Sequence, residues 1–286
     1  MSCATILTIV SGGSDDAQTL SLAADLAKRH GAVARVLAVY PQMTPTGWAD
    51  TFGAGAFSGE LWQAIAAAGA EFRRKTEAVA RATAAQLGVA YGGGDEGAML
   101  VMAEPSMTLW AGLMRELPLA DLVVVGASAV ARDGSWMGVL DEAVMAGRSP
   151  TLIARGPAAP VDRPAVIAWD GSLQAGRAVR AALPLLRQAA SVIILQDPTH
   201  LDDVERDHAD PERLAADLRR RGVSVVSIAR IKAHGARDLA EAAKAYDAGL
   251  LVAGAYGHSR LREAVLGGAT RALLESEDGP HLLIAH

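Results

Sequence analysis

The residues best placed to do chemistry lie near the end of the chain. There Leu251-Val252-Ala253 runs into Gly254-Ala255-Tyr256-Gly257-His258-Ser259-Arg260, and nine residues after Gly257 come Gly267-Gly268-Ala269-Thr270-Arg271. Glycine has no Cβ, so backbone N–H groups at such positions can approach an anion closely. A helix starting at about Ala269 would add roughly half a positive charge at its N-terminus. Arg260, Arg262 and Arg271 add cationic charge nearby. Together they describe a cradle for phosphate oxygens, with His258 inside the loop. The competing reading is two ordinary turns, one ending a strand and one starting a helix.

Other patterns point more weakly to chemistry. Gly92-Gly93-Gly94-Asp95-Glu96-Gly97 spells G-x-G-x-x-G. It precedes a strand-like run, Ala98 to Met102, and opens no helix, so it reads as a loop and not as a dinucleotide fingerprint. His200, Asp202, Asp203, Asp207, His208 and Asp210 share one connecting segment. Their oxygens and nitrogens suit a divalent ion, and a solvated acidic loop is the other reading. His234 stands before a helix start. Ser259 lies in Gly-His-Ser-Arg-Leu, which lacks the last glycine of a nucleophile elbow. No local Ser/His/Asp set, paired carboxylates or Walker lysine is present.

The elements that would position these residues occur twice. Thr5-Ile6-Leu7-Thr8-Ile9-Val10 ends in Ser11-Gly12-Gly13, and Ala165-Val166-Ile167-Ala168-Trp169 ends in Asp170-Gly171-Ser172. Helical spacing follows each, through Leu20, Ala23, Ala24 and Ala27 and through Ala178, Ala181, Ala182 and Leu185. Asp121 to Gly126 echoes Gly249 to Gly254, and Pro150 to Ala154 echoes Pro280 to Ala285. The late echoes are separated by 128 positions (126 to 254) and 130 positions (152 to 282), the early one by 159 (11 to 170). The first copy therefore holds some 30 additional residues, placed in a Pro/Gly-rich stretch from Pro41 to Gly59 and a long helix from about Glu60 to Leu87. Glu71, Arg74, Lys75 and Glu77 mark that helix's wet side. The second copy is compact there, with its helix from about Asp210 to Arg221. Repetition on this scale is duplication of a whole domain. The boundary is set at Gly156-Pro157-Ala158-Ala159-Pro160, giving domains 1–156 and 163–286.

Strands that read as continuous apolar runs are buried on both faces, and alternation with helices implies a parallel sheet with right-handed crossovers. Ligands of such sheets sit beyond the carboxyl ends of the strands. That directs attention to Asp170 and to Gly254 onward. Composition agrees: of 286 residues, 51% are hydrophobic and 21% charged, which describes an ordered globular chain. A net charge of −5 without blocks of like charge argues against nucleic acid or an anionic membrane as partner. The single cysteine, Cys3, excludes an internal disulfide framework and suits a reducing compartment. No apolar run approaches the ~20 residues that cross a bilayer, and the start lacks a secretory pattern. A cytoplasmic protein is the expectation.

Gly-x2-Gly-x9-Gly after the fourth strand, with Asp-Gly-Ser after the first, resembles the universal stress protein family. The resemblance covers residues 163–286 and, more loosely, 1–156. It implies two tandem five-stranded, doubly wound α/β domains (Rossmann-like, of the adenine nucleotide alpha hydrolase-like kind) paired through their last strands as a pseudo-dimer. It implies a role in stress response and, in some members, binding of ATP with or without Mg2+. Carried over by position, Asp170 would contact the adenosine, Gln196 would line the adenine pocket, and Gly254, Gly257, Gly267 and Gly268 would hold the triphosphate. Thr270 falls where ATP-binding members often carry a hydroxyl. At Gly268 those members have Ser or Thr, and losing one hydrogen bond to a charged group costs roughly 1.5–3 kcal/mol.

The first copy departs further. Ser11 stands in place of Asp170, Ala127-Ser128-Ala129 follows Gly126, and Val139 follows Gly138. It reads as a degenerate partner domain. Two functions follow: an ATP-binding sensor with at most slow hydrolysis, or a scaffold that has lost the nucleotide and acts through protein partners. A further homodimer is compatible with both.

Overall fold

The computed structural model describes residues 3–286 except 40–58, 94–96, 107–108, 131–148, 156–161, 202–207, 233–235, 256–272 and 275–278. Among the described residues eleven strands form one sheet. In the first half they are β1 (Thr5–Val10), β2 (Val33–Ala38), β3 (Ala90–Tyr91), β4 (Met99–Met102), β5 (Leu122–Gly126) and β6 (Thr151–Ala154). In the second they are β7 (Ala165–Ala168), β8 (Val192–Gln196), β9 (Val226–Arg230), β10 (Leu250–Gly254) and β11 (His281–Ala285). The order is β3-β4-β2-β1-β5-β6-β11-β10-β7-β8-β9. Each half is thus a doubly wound parallel sheet that reverses direction beside its first strand, as the apolar runs predict. The first half departs from five strands by β3, two residues paired to the outer edge of β4.

The halves join through their last strands, as the family resemblance implies. β6 and β11 pair antiparallel, with Leu282 opposite Ile153, Leu283 opposite Leu152 and Ile284 opposite Thr151. An antiparallel pair of equivalent strands relates the halves by an approximate two-fold axis. Leu152, Ile153, Leu282, Leu283 and Ile284 are all buried. Each such side chain contributes roughly 1.5–3 kcal/mol, so this seam is as much core as either half.

Helices cover both faces. On one lie α1 (Asp16–His30), α2 (Gly59–Leu87), α5 (Leu173–Leu186) and α6 (Pro211–Arg220); on the other lie α3 (Leu109–Glu116) and α7 (Ala236–Ala245). A single turn, α4 (Ala127–Val130), directly follows β5. α2 buries a stripe of small residues, Thr76, Ala80, Thr83 and Ala84, and turns Glu71–Arg74 and Glu77–Arg81 ion pairs to water. That is the wet side expected from its sequence.

One register differs from the sequence reading. α1 buries Leu20, Ala23, Ala24 and Ala27, and α5 buries Ala178, Val179, Ala182, Leu183 and Leu186. The same 159-position separation that relates Ser11 to Asp170 therefore carries on through the helix. Ala181, expected on the core face, is only partly buried. Among the described residues no helix is long and apolar enough to cross a membrane.

Candidate functional site

In the second half the site is assembled from the ends of β7, β8 and β10 and the start of α5. After Trp169 the chain turns at Gly171, whose φ of +75° favours a residue without Cβ. Asp170 Oδ1 accepts the Ser172 N–H at 2.9 Å, and Ser172 Oγ accepts the Ala175 N–H at 3.1 Å. The Asp-Gly-Ser sequence thus works as a turn plus an N-cap, which satisfies one orphan donor of α5 and leaves the others facing the strand ends. β10 ends against this same helix start. A Cβ on Gly254 would lie 2.5 Å from the Ala175 nitrogen and 2.8 Å from the Gln174 carbonyl carbon. Gly254 is therefore required for the close approach of the end of β10 to the N-terminus of α5.

Gln196 is the last residue of β8 and is buried. Its Nε2 donates to the Ala209 carbonyl at 2.6 Å, and Trp169 Nε1 donates to the same oxygen at 3.0 Å. Ala209 is fully buried, and a Cβ on Gly171 would meet its Cα at 2.6 Å. The lead-in to α6 is thus laid over the turn after β7, and Gln196 holds it there. Asp210 caps α6 by accepting the Glu212 N–H at 3.0 Å, so in the acidic segment it acts as a cap. Of the expected site residues, Asp170, Gln196 and Gly254 come together. Gly257, His258, Gly267, Gly268 and Thr270 lie outside the described residues, as does Asp202 to Asp207 of the acidic segment.

The first half shows what fills the equivalent place there. Asp15 accepts the backbone N–H of Ser128 at 2.8 Å and also the Ser128 hydroxyl. Asp16 accepts the N–H of Gly12 at 2.8 Å and of Ser11 at 3.2 Å. Burial pushes the Asp16 carboxyl above the usual carboxylate range, and the Gly12 and Ser11 amides pull it back. Gly126, the counterpart of Gly254, packs on Asp15, with a Cβ there 2.6 Å from Oδ2. Backbone donors after β1 and β5 therefore converge on two carboxylates at the start of α1, the place where such a fold takes an anion. The Phe72 ring, on α2, stands over Gly12, 3.4 Å from where its Cβ would be.

At the 159-position separation, Asp15 and Asp16 correspond to Gln174 and Ala175. The second half has no carboxylate at either position. Neither pair stood out in the sequence, because two acids before a helix read as an ordinary N-terminal turn. The signal lies only in comparing the halves at the register that burial fixes.

The profile of the universal stress protein family matches residues 163–284. Over the whole chain the fold is similar to a universal stress protein from Archaeoglobus fulgidus DSM 4304, at 13% identity and TM-score 0.65, covering 100% of this chain and 99% of that one. It is also similar to a putative universal stress protein from Pseudomonas aeruginosa UCBPP-PA14, at 13% identity and TM-score 0.53, covering 99% and 93%. No curated protein matches the sequence.

Proposed function

We propose, from the match of residues 163–284 to the universal stress protein family and the repetition of that fold in the first half, that the chain is a stress-response protein that binds ATP in its second half only. One observation carries the reading. The helix start that the first half neutralises with Asp15 and Asp16 is faced in the second half by uncharged Gln174 and Ala175, beside the segment that begins at Gly254. An anion that the first half supplies from its own chain is left for a ligand to supply in the second.

In this reading the triphosphate lies between the N-terminus of α5 and the Gly257–Gly268 segment, whose amides and Thr270 hydroxyl are its donors. His258 stands within that loop. Asp170 accepts from the ribose side while holding the Ser172 turn. Gln196 positions the wall formed by Ala209 and does not present its own amide. Mg2+ accompanies the phosphates. In this reading the role is binding and sensing, with any hydrolysis slow.

A second reading, a scaffold without nucleotide, is favoured by Ala209 lying so close over Gly171. Calorimetric titration with MgATP separates the two. A one-to-one site, weakened about tenfold or more in Asp170→Asn, supports binding. No heat at millimolar MgATP overturns it and leaves the scaffold.

A further inference from the structure

A cavity lies at the seam between the halves, next to the strand-end site on its β11 side, where Ala285 pairs with Gly254 and His286 meets the Ala255 carbonyl. It has a volume of about 380 Å³ and is lined from both halves. Leu122, Leu185, Leu283 and Pro184 give it an apolar interior, with Leu26 and Ala181 between. At 380 Å³ it falls within the size range of small-molecule sites, which are concave, mostly apolar and carry a few convergent polar groups.

The approximate two-fold axis supplies an internal control. The cavity's counterpart is lined by Leu26 and Leu185 again, with Gly249 and Leu250 where this one has Asp121 and Leu122, and it holds only about 20 Å³. Arg163 lines it and is tied down there, donating from Nε to the Asp247 carbonyl at 3.0 Å and pairing with the Asp247 carboxylate. The counterpart of Arg163 in the first half is Ala4. The fold thus does not require the larger cavity; replacement of one long side chain accompanies it.

Its charged side chains are Arg177, Arg180 and Asp121, with His30 and His286 beside them. Arg177 and Arg180, one turn of α5 at the cavity mouth, have no hydrogen-bond or ion-pair partner among the described residues. Their first-half counterparts are Gln18 and Ser21, so the pair is peculiar to this side. The Asp121 carboxylate makes no ion pair with either arginine; its Oδ2 accepts the N–H groups of Ala4 and Thr5 at 2.8 and 3.0 Å. His30 also lines the cavity, and its Nε2 is buried without a partner.

We propose that this seam cavity is a binding site for a small amphipathic carboxylate, its apolar body among the leucines and its head group on Arg177 and Arg180. The site needs both halves, so its occupant clamps the seam.

Octanoate, with octanol as the neutral analogue of equal chain length, tests this on the full chain by calorimetry and by the chemical shifts of cavity methyl groups. The expected result is one saturable octanoate site, at least tenfold tighter than octanol. In Arg177→Gln/Arg180→Gln, which changes only the mouth, octanoate should fall to the octanol level. Ala181→Trp should fill the space and abolish binding of both. Equal affinity for octanoate and octanol, octanoate affinity unchanged in the double arginine variant, or no saturable site at ~10 mM octanoate would each overturn the proposal.

Discussion

Asp15 and Ser128 are separated by 113 positions and meet through two hydrogen bonds to one carboxylate. Charge-assisted bonds of this kind contribute roughly 1.5–3 kcal/mol each when partly buried. Asp15→Asn keeps the shape but removes the charge that faces the start of α1, so it should lower the unfolding free energy by about 1–3 kcal/mol. Denaturant unfolding of the variant checks this, and an unchanged midpoint would mean that the contact adds nothing. These residues also show why half of the site argument was hidden. Ser11 and Ala129 stand where the second half has Asp170 and Gly257, so the sequence exposes the first half's departure from the motif. It does not expose the gain of an internal substitute, because Asp15 and Ser128 become neighbours only after β1 and β5 pair.

The turn between β7 and α5 shows the same limit for an element. Two apolar runs ending in turn residues were enough to place both first strands, since burial on both faces removes alternation. The small strand β3 was not legible, for Ala90–Tyr91 is too short to carry a pattern. Nor was the lead-in to α6 over Gly171, which depends on Trp169 and Gln196 sharing the Ala209 carbonyl. Gly171 combines a φ of +75° with backbone 2.6 Å from where its Cβ would be. Gly171→Ala must therefore shift the lead-in or the turn, at a cost of about 1–3 kcal/mol. It should also increase amide exchange at Ala209 to Leu214. Exchange unchanged in that segment would show that the turn and the lead-in are not coupled.

On the scale of the whole molecule, the seam carries a group that cannot be charged cheaply. His281 begins β11, is buried, and accepts the Arg155 N–H at Nδ1 over 2.9 Å. Burial, then the charge of Arg155 and more weakly that of Arg163, lower its pKa from 6.5 to about 4, against a hydrogen bond to the Ile153 backbone. Arg155 itself is lowered by burial to about 10 and stays charged at neutral pH. A histidine neutral in the folded chain binds a proton first when unfolded. Stability is therefore complete above about pH 6.5 and declines as pH falls towards 4, by up to about 3 kcal/mol. His281→Asn keeps an acceptor for Arg155 and removes the titration, so its stability should change less between pH 7 and pH 4.5. Parallel slopes for both proteins would remove His281 from the account. The duplication and the wet face of α2 were legible in the residues, and the pairing of final strands only through the family resemblance; a histidine at the seam was not, because its burial comes from the other half.

One contrast between the halves is central: Asp15 and Asp16 at the start of α1 against uncharged Gln174 and Ala175 at the equivalent positions of α5. The most direct test is calorimetric titration of MgATP into the wild type and into Gln174→Asp, which gives the second half the carboxylate that the first already has. The prediction is a single site in the wild type and at least tenfold weaker binding in the variant, with thermal stability without nucleotide little changed. Equal binding by the two proteins would show that the phosphates do not lie at the start of α5 and would contradict the account.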